Sequence, residues 1–182
     1  MVLMGTVWRD ARSIADLGQN MAGWLEGRIP SWPNYDGPFG QEEENGARHL
    51  VPTLIALNQA GFVTVDSQPA RVDGGYRQRA NVTGFVHNRN PLLGQLVALQ
   101  EQGLTVVRGW PKRQIAVTED DGQPFTTIGG WRMRRDFVHY LWRGVGRQAI
   151  RELREHGAMV HIIDMVWGRD DRLWPALDGV VR

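Results

Sequence analysis

The sequence predicts an α+β fold, a mixed and largely antiparallel sheet flanked by helices, and three observations carry that prediction. Apolar residues recur every three to four positions in four separate stretches, the period of an amphipathic helix. Between them lie short runs rich in β-branched and aromatic residues, bounded by glycine, proline or aspartate, which is the composition of strands. Beyond the N-terminal helix the order is α, β, β, α, three β, α, β and a short end, the order of a mixed fold.

At the N-terminus Ile14, Leu17, Met21 and Leu25 recur at helical spacing, and Asp10 or Ser13 can accept the first free amide hydrogens, so 9–26 reads as an amphipathic helix. From 27 to 40 the chain carries Pro30, Pro33 and Pro38 with Asn34, Asp36 and Gly37, which break the period and fix turns. The acidic run at 42–44 suits a helix N-terminus through the macrodipole. That second helix carries Leu50, Leu54 and Leu57, with Gly61 in the position of a C-cap. The strand Phe62-Val63-Thr64-Val65-Asp66-Ser67 follows, closed by Gln68-Pro69.

After a turn at Asp73-Gly74-Gly75, residues 76–86 read as a second strand, and Leu92, Leu93, Leu96 and Leu99 place a helix at 91–102, ended by Gly103. Residues 104–108, 114–118 and 125–128 read as antiparallel neighbours, separated by a Trp110-Pro111-Lys112 turn and a hairpin tip at 119–122. Phe137, Leu141, Val145, Ala149, Ile150 and Leu153 form one long helical stripe, and 158–164 the last strand.

With 182 residues, 42% of them hydrophobic, the chain can bury one core of ordinary size. A single domain over 1–182 is expected, its N-terminal helix and proline-rich loop at 1–45 preceding a core at 46–182. The apolar runs fall far short of the ~20 residues that cross a bilayer. Residues 1–8 lack the basic flank and cleavage pattern of a secretory signal, so a soluble, cytoplasmic protein is expected. The absence of cysteine excludes disulfides, thiolate metal sites and a cysteine nucleophile.

A net charge of +1, from 21 basic and 20 acidic residues, provides no overall field for a polyanion, so nucleic acid is not favoured. Lys112 is the one lysine among those basic residues, a bias typical of high-GC coding DNA. Several of the eight tryptophans adjoin proline or glycine, and they either line a pocket or interface or fill a small core.

Three linked segments resemble one known family. Residues 57–69, Leu-Asn-Gln-Ala-Gly-Phe-Val-Thr-Val-Asp-Ser-Gln-Pro, are similar to the "VNxxGxLTxxSQP" stretch of the regulatory domain of eukaryotic methylenetetrahydrofolate reductases. Gly74-Gly75-Tyr76, Gln78-Arg79-Ala80 and Phe85 follow that family's next strand in register. Val160-His161-Ile162-Ile163-Asp164 with Leu173-Trp174 is similar to its "VNLVD" strand and later "LW".

Coverage runs over about 48–177, detached from any reductase barrel. The resemblance implies that fold and a non-catalytic module binding S-adenosylmethionine or a related adenosyl metabolite, with Thr64 and Ser67 at the ligand and Thr118 and Thr126 as the nearest candidates around its carboxylate. The family's Glu-Thr pair before this strand falls on Gly46-Ala47, with Glu44 or Asn45 as the nearest substitutes. The chain also resembles a group of similar-length proteins from high-GC bacteria and their phages.

Other constellations compete. Gly144-Val145-Gly146-Arg147-Gln148-Ala149, with Asp164 twenty residues beyond Gly144, has the spacing of an NAD- or FAD-binding βαβ unit, provided that 136–142 is a strand. A helical period runs through those glycines against it. Arg143, Arg147 and Arg151 recur every fourth residue, as a solvated helix face or a phosphate site.

With the cluster Arg132, Arg134 and Arg135, those arginines leave a nucleic-acid-associated phage or host-interaction protein as the third reading. A homo-oligomer or a host-protein partner is compatible with the sequence. The five histidines lack paired metal-ligand spacing, so no metal is expected, and no Ser-His-Asp signature or phosphate-cradling loop supports an enzyme.

Overall fold

The N-terminal periodicity resolves into two helices rather than one, α1 (Thr6–Asp10) and α2 (Ile14–Leu25). In this computed structural model residues 6–33, 37–39, 47–109, 115–128 and 138–182 are described. Ser13 is the residue that starts α2: its Oγ accepts from the Asp16 N–H at 3.1 Å, while the Asp16 carboxylate accepts from the Ser13 N–H at 3.0 Å. This capping box satisfies two amide hydrogens that the first helical turn leaves free. Ile14, Leu17, Met21 and Leu25 are buried, as their spacing predicts.

One 3-10 turn at Arg48–Leu50 leads into α3 (Val51–Gln59), followed by β1 (Phe62–Gln68). The predicted strand 76–86 is two strands: β3 (Tyr76–Gln78) pairs with β2 (Arg71–Asp73) as a small hairpin, and β4 (Asn81–His87) enters the main sheet. The break lies at Arg79-Ala80, where the Arg79 side chain turns inward and the Ala80 carbonyl accepts from the Asp164 N–H at 3.0 Å. Next come α4 (Leu92–Ala98), continued by a 3-10 segment to Gln102, then β5 (Thr105–Arg108), β6 (Ile115–Asp120) and β7 (Gln123–Ile128).

The chain closes with α5 (Val138–Leu141), α6 (Arg147–His156), β8 (Gly157–Ile163) and α7 (Leu173–Val181), the last a helix where the sequence predicts only a short end. The acidic run at 42–44, the turn at 110–112, the arginines at 132, 134 and 135, and Phe137 lie outside the described residues.

The main sheet has the order β1-β4-β8-β5, and every pair in it is antiparallel. The fold is therefore α+β, as predicted. One expectation fails: β5 lies beside β8 rather than β6, and β6 and β7 form a hairpin of their own. The two faces of the sheet are covered by helices. The α2 helix, in contact with α6, packs on the face of Val63, and α3, in contact with α7, packs on the face of Thr64. One continuous cluster of buried side chains runs from Trp8 to Leu177, so the N-terminal helices belong to the same core.

The Trp142 ring lies 6.0 Å from that of Trp8, tilted, and 5.9 Å from that of Trp32, edge-on, between centroids, and Trp24 touches Trp32 and Phe39. Four of the eight tryptophans thus fill a core under the proline-rich loop.

The dinucleotide-binding alternative needs a strand before Gly144 and a parallel crossover after it. Residues 138–141 are helical and β8 is antiparallel to both neighbours, so that unit is not built. Gly146 has a different reason: its N–H donates to Trp8 O at 2.9 Å, and a Cβ there would come within 2.6 Å of Arg9 O and nearer still to Ala11 O. The glycine admits α1, and Gly144, at φ +81°, turns the chain that a single long helix would have carried straight.

Candidate functional site

A β-bulge sets the geometry of the site. Pairing between β1 and β4 slips at Val65, so Thr64 lies opposite Gly84 while Asp66 lies opposite Thr83 and Gln68 opposite Asn81. Neighbouring β4 residues point to opposite faces, so the bulge sends Asp66 and Gln68 to one face and Thr64 and Ser67 to the other. On the Asp66 face, Thr83 continues the row to His161 of β8, its Oγ1 lying 3.0 Å from His161 Nδ1.

The opposite wall is the loop after β8. Asp164, fully buried, receives two hydrogen bonds from Arg169, from Nε and Nη2, both at 2.7 Å, and one from the Val166 N–H at 3.0 Å. This clamp folds the loop so that Trp167 lies over Arg79, whose guanidinium carbon is 3.4 Å from the ring centroid. Arg79 Nε donates to Met165 O at 2.8 Å and Nη1 to Thr118 Oγ1 at 3.0 Å, so one buried guanidinium joins the link between β3 and β4, β6 and the loop. Phe125 of β7 meets Trp167 edge-on at 4.7 Å. Arg77 stands 5.2 Å from the same tryptophan ring and pairs with Asp120 at 2.6 Å.

These groups enclose a cleft of about 300 Å³. Asp66, Gln68 and Asn81 form one side, and Arg77, Arg79, Phe125 and Trp167 face them, with Tyr76 and Gln78 at the hairpin. Asp66 keeps contact with solvent, yet the crowded walls desolvate its carboxyl and raise its pKa above the ordinary carboxylate value, partly offset by a hydrogen bond from the Ser67 N–H.

Desolvation lowers the Arg79 pKa, Asp120 offsetting and Arg77 adding to the effect, and the group stays cationic. Burial would raise the Asp164 carboxyl, but the bonds from Arg169 and Val166 and the charges of Arg169 and Arg172 outweigh it and hold the pKa below the usual range. His161 is pushed down to about 4 by burial, and its Nε2 has no partner among the described residues. The site therefore presents one carboxylate, two cations, neutral amides and three aromatic rings, a set complementary to a molecule carrying both charges and a flat body.

The residues singled out from the sequence divide between the two faces. Thr64 is buried, its Oγ1 accepting from Asn58 Nδ2 at 2.7 Å and its N–H donating to Asn58 Oδ1 at 3.0 Å, which ties α3 to β1. Neither Thr64 nor Ser67 lines the cleft. Thr118 reaches the site through Arg79, and Thr126 stands opposite it in the hairpin register, its side chain outside the described residues.

Arg77, Asn81, Phe125 and Trp167 were missed as site residues, whereas Asp66, Gln68, Tyr76, Gln78 and Arg79 stood within the quoted motifs without a role assigned to them. Among the described residues no cluster of three or more metal-ligating side chains occurs, and no helix is long and apolar enough to cross a membrane.

No curated protein matches the chain. The model of one family, described as a domain of unknown function, spans residues 4–182, and the chain belongs to that DUF6919 family.

Proposed function

We propose that this protein is a cytoplasmic, non-catalytic binding module with a regulatory role, and that its ligand is S-adenosylmethionine or a related adenosyl metabolite held in the Asp66–Arg79 cleft. One observation carries the reading: seven of the nine residues lining the cleft fall between Asp66 and Asn81, inside the segment that resembles the regulatory domain of methylenetetrahydrofolate reductases. The ligand contacts are thereby assigned to Asp66, Gln68, Gln78 and the Arg77 side of the cleft, and Thr118 to holding Arg79.

The chemistry is complementary. Asp66 suits the ammonium or sulfonium centre, and Arg77 the carboxylate of the amino-acid tail. The face of Phe125, 46% exposed, offers a stacking surface for adenine. A volume near 300 Å³ is at the lower end for ligand sites, so part of the molecule rests on the rim. That rim is apolar: Val72, Tyr76, Phe125 and Val166 are four of the five large exposed hydrophobic residues among those described.

Isothermal titration of the full chain with S-adenosylmethionine, S-adenosylhomocysteine and NAD tests the proposal. S-adenosylmethionine is expected to bind, and Asp66→Asn to weaken it roughly 10-fold to 100-fold, the worth of one charge-assisted contact, without lowering the melting temperature. An absence of binding, or a preference for NAD, refutes it. Recovery of the ligand with unchanged mass is expected, and a cleaved or demethylated product would refute the non-catalytic role.

A further inference from the structure

A second concavity shares no residue with the cleft. It lies between α5 and α6, has a volume of about 590 Å³, and is lined by Trp142, Val145 and Ile150 beneath a rim of Arg143, Arg147, Arg151 and Arg154. All four arginines are exposed, and none has an ion-pair partner among the described residues. Four like charges on a turn and one helix repel each other, and Glu155 is the single acid in the lining. The local charge is thus unbalanced, although the whole chain carries only +1.

Two further features border the same space. Trp142 is 1% exposed, and its Nε1 has no hydrogen-bond partner among the described residues. Two neighbouring core indoles do have one, Trp8 Nε1 donating to Ser31 O and Trp24 Nε1 to Gly37 O, both at 2.9 Å. Trp142 borders the cavity, and an unmatched buried donor there leaves one hydrogen bond that an acceptor oxygen brought by a ligand would complete. In addition, α6 starts at Gly146 with no side-chain cap, and Gly144, Val145 and Arg147 line the cavity, so the first free amide hydrogens of a ten-residue helix stand at its edge.

We infer that this cavity binds a compact polyphosphate ester of the nucleoside di- or triphosphate class, its phosphates on the arginine rim and α6 N-terminus and its flat body on the apolar floor. From Arg147 to Arg154 the helix rises roughly 10 Å, about the reach of two or three linked phosphates. An extended nucleic acid fits less well, because Glu155 interrupts the basic face of the same helix.

Isothermal titration of the full chain with ADP, inorganic tripolyphosphate and a 20-nucleotide single strand, in about 0.15 M salt, tests the assignment. ADP and tripolyphosphate are expected to bind, and the exposed double substitution Arg147→Gln, Arg151→Gln to weaken both at least 10-fold while Arg89→Gln and Asp66→Asn change neither. Trp142→Phe is expected to reduce ADP affinity severalfold. No binding of either probe, an equal loss in Arg89→Gln, or tighter binding of the oligonucleotide with the same arginine dependence would overturn the inference.

Discussion

Replacing Asn58 with alanine separates a structural role for Thr64 from a ligand-binding one. Asn58 is fully buried in the last turn of α3 and makes three hydrogen bonds: Nδ2 donates to Leu54 O at 2.8 Å and to Thr64 Oγ1 at 2.7 Å, and Oδ1 accepts from the Thr64 N–H at 3.0 Å. β1 is an edge strand, so the side chain supplies a partner that no neighbouring strand provides. Truncation strands the Thr64 N–H at a site 6% exposed, which costs about 1–3 kcal/mol, and removes two further bonds worth roughly 1 kcal/mol each before compensation.

A net loss of about 3 kcal/mol, with a urea slope of roughly 2 kcal/mol per molar, lowers the midpoint by about 1.5 M. Thr64→Val removes only the hydroxyl and is expected to cost about 1 kcal/mol, with a coupling of about 1 kcal/mol in the double-mutant cycle. Urea titration followed by tryptophan fluorescence measures all three variants. A midpoint shift below about 0.3 M for Asn58→Ala, or strict additivity, refutes the bonding scheme. Loss of ligand binding in Thr64→Val without loss of stability would return Thr64 to the ligand.

Three further outcomes are expected. The folded pKa of His161, about 4, lies below the ordinary 6.5, so the unfolded chain binds the extra proton between those values and stability falls as pH drops through that window. By pH 5 the loss is about 2 kcal/mol, and His161→Gln should flatten this part of the urea-midpoint profile.

Asp164→Asn should cost about 2–3 kcal/mol in urea titration, less than a fully buried pair, because the Arg169 side chain stays 33% exposed. The Asp164 pKa is depressed, so its contribution is complete above about pH 4 and disappears only as pH falls through the lowered value. Gly146→Ala should lower stability by about 1–3 kcal/mol through overlap with the Arg9 and Ala11 carbonyls, and an unchanged melting temperature would refute that contact.

Elements with a strong period were legible. Leu92, Leu93, Leu96 and Leu99 announce α4, and the run at 158–163 announces β8, because burial of one face or of both writes itself into the sequence. Sheet order was not, since β5 meets β8 across about fifty intervening residues and nothing local in 105–108 records that partner. The site was hidden by a single residue. An unbroken strand would put Thr64, Asp66 and Gln68 on one side, whereas the slip at Val65 groups Thr64 with Ser67 and turns Asp66 and Gln68 the other way. Arg79 and Trp167, far apart in sequence, carry no pattern at all, because their contact depends on how Asp164 and Arg169 fold the loop between them.

Charge, more than regular structure, holds the cleft open. Asp170 accepts from the Ala70 N–H at 2.7 Å and from Trp174 Nε1 at 2.9 Å and also meets His49, fastening the loop to the segment after β1, to α7 and to the turn before α3. Arg79 is committed to Met165 O, Thr118 and the Trp167 face, so a ligand anion recruiting it would have to break bonds already made in a desolvated place. Arg77 differs, because its partner Asp120 is partly exposed and their bond is correspondingly weak. On the proposed reading the two neighbouring arginines divide the work: Arg79 preorganises the wall at no further entropic expense on binding, and Arg77 is the cation that would exchange a surface carboxylate for that of the ligand.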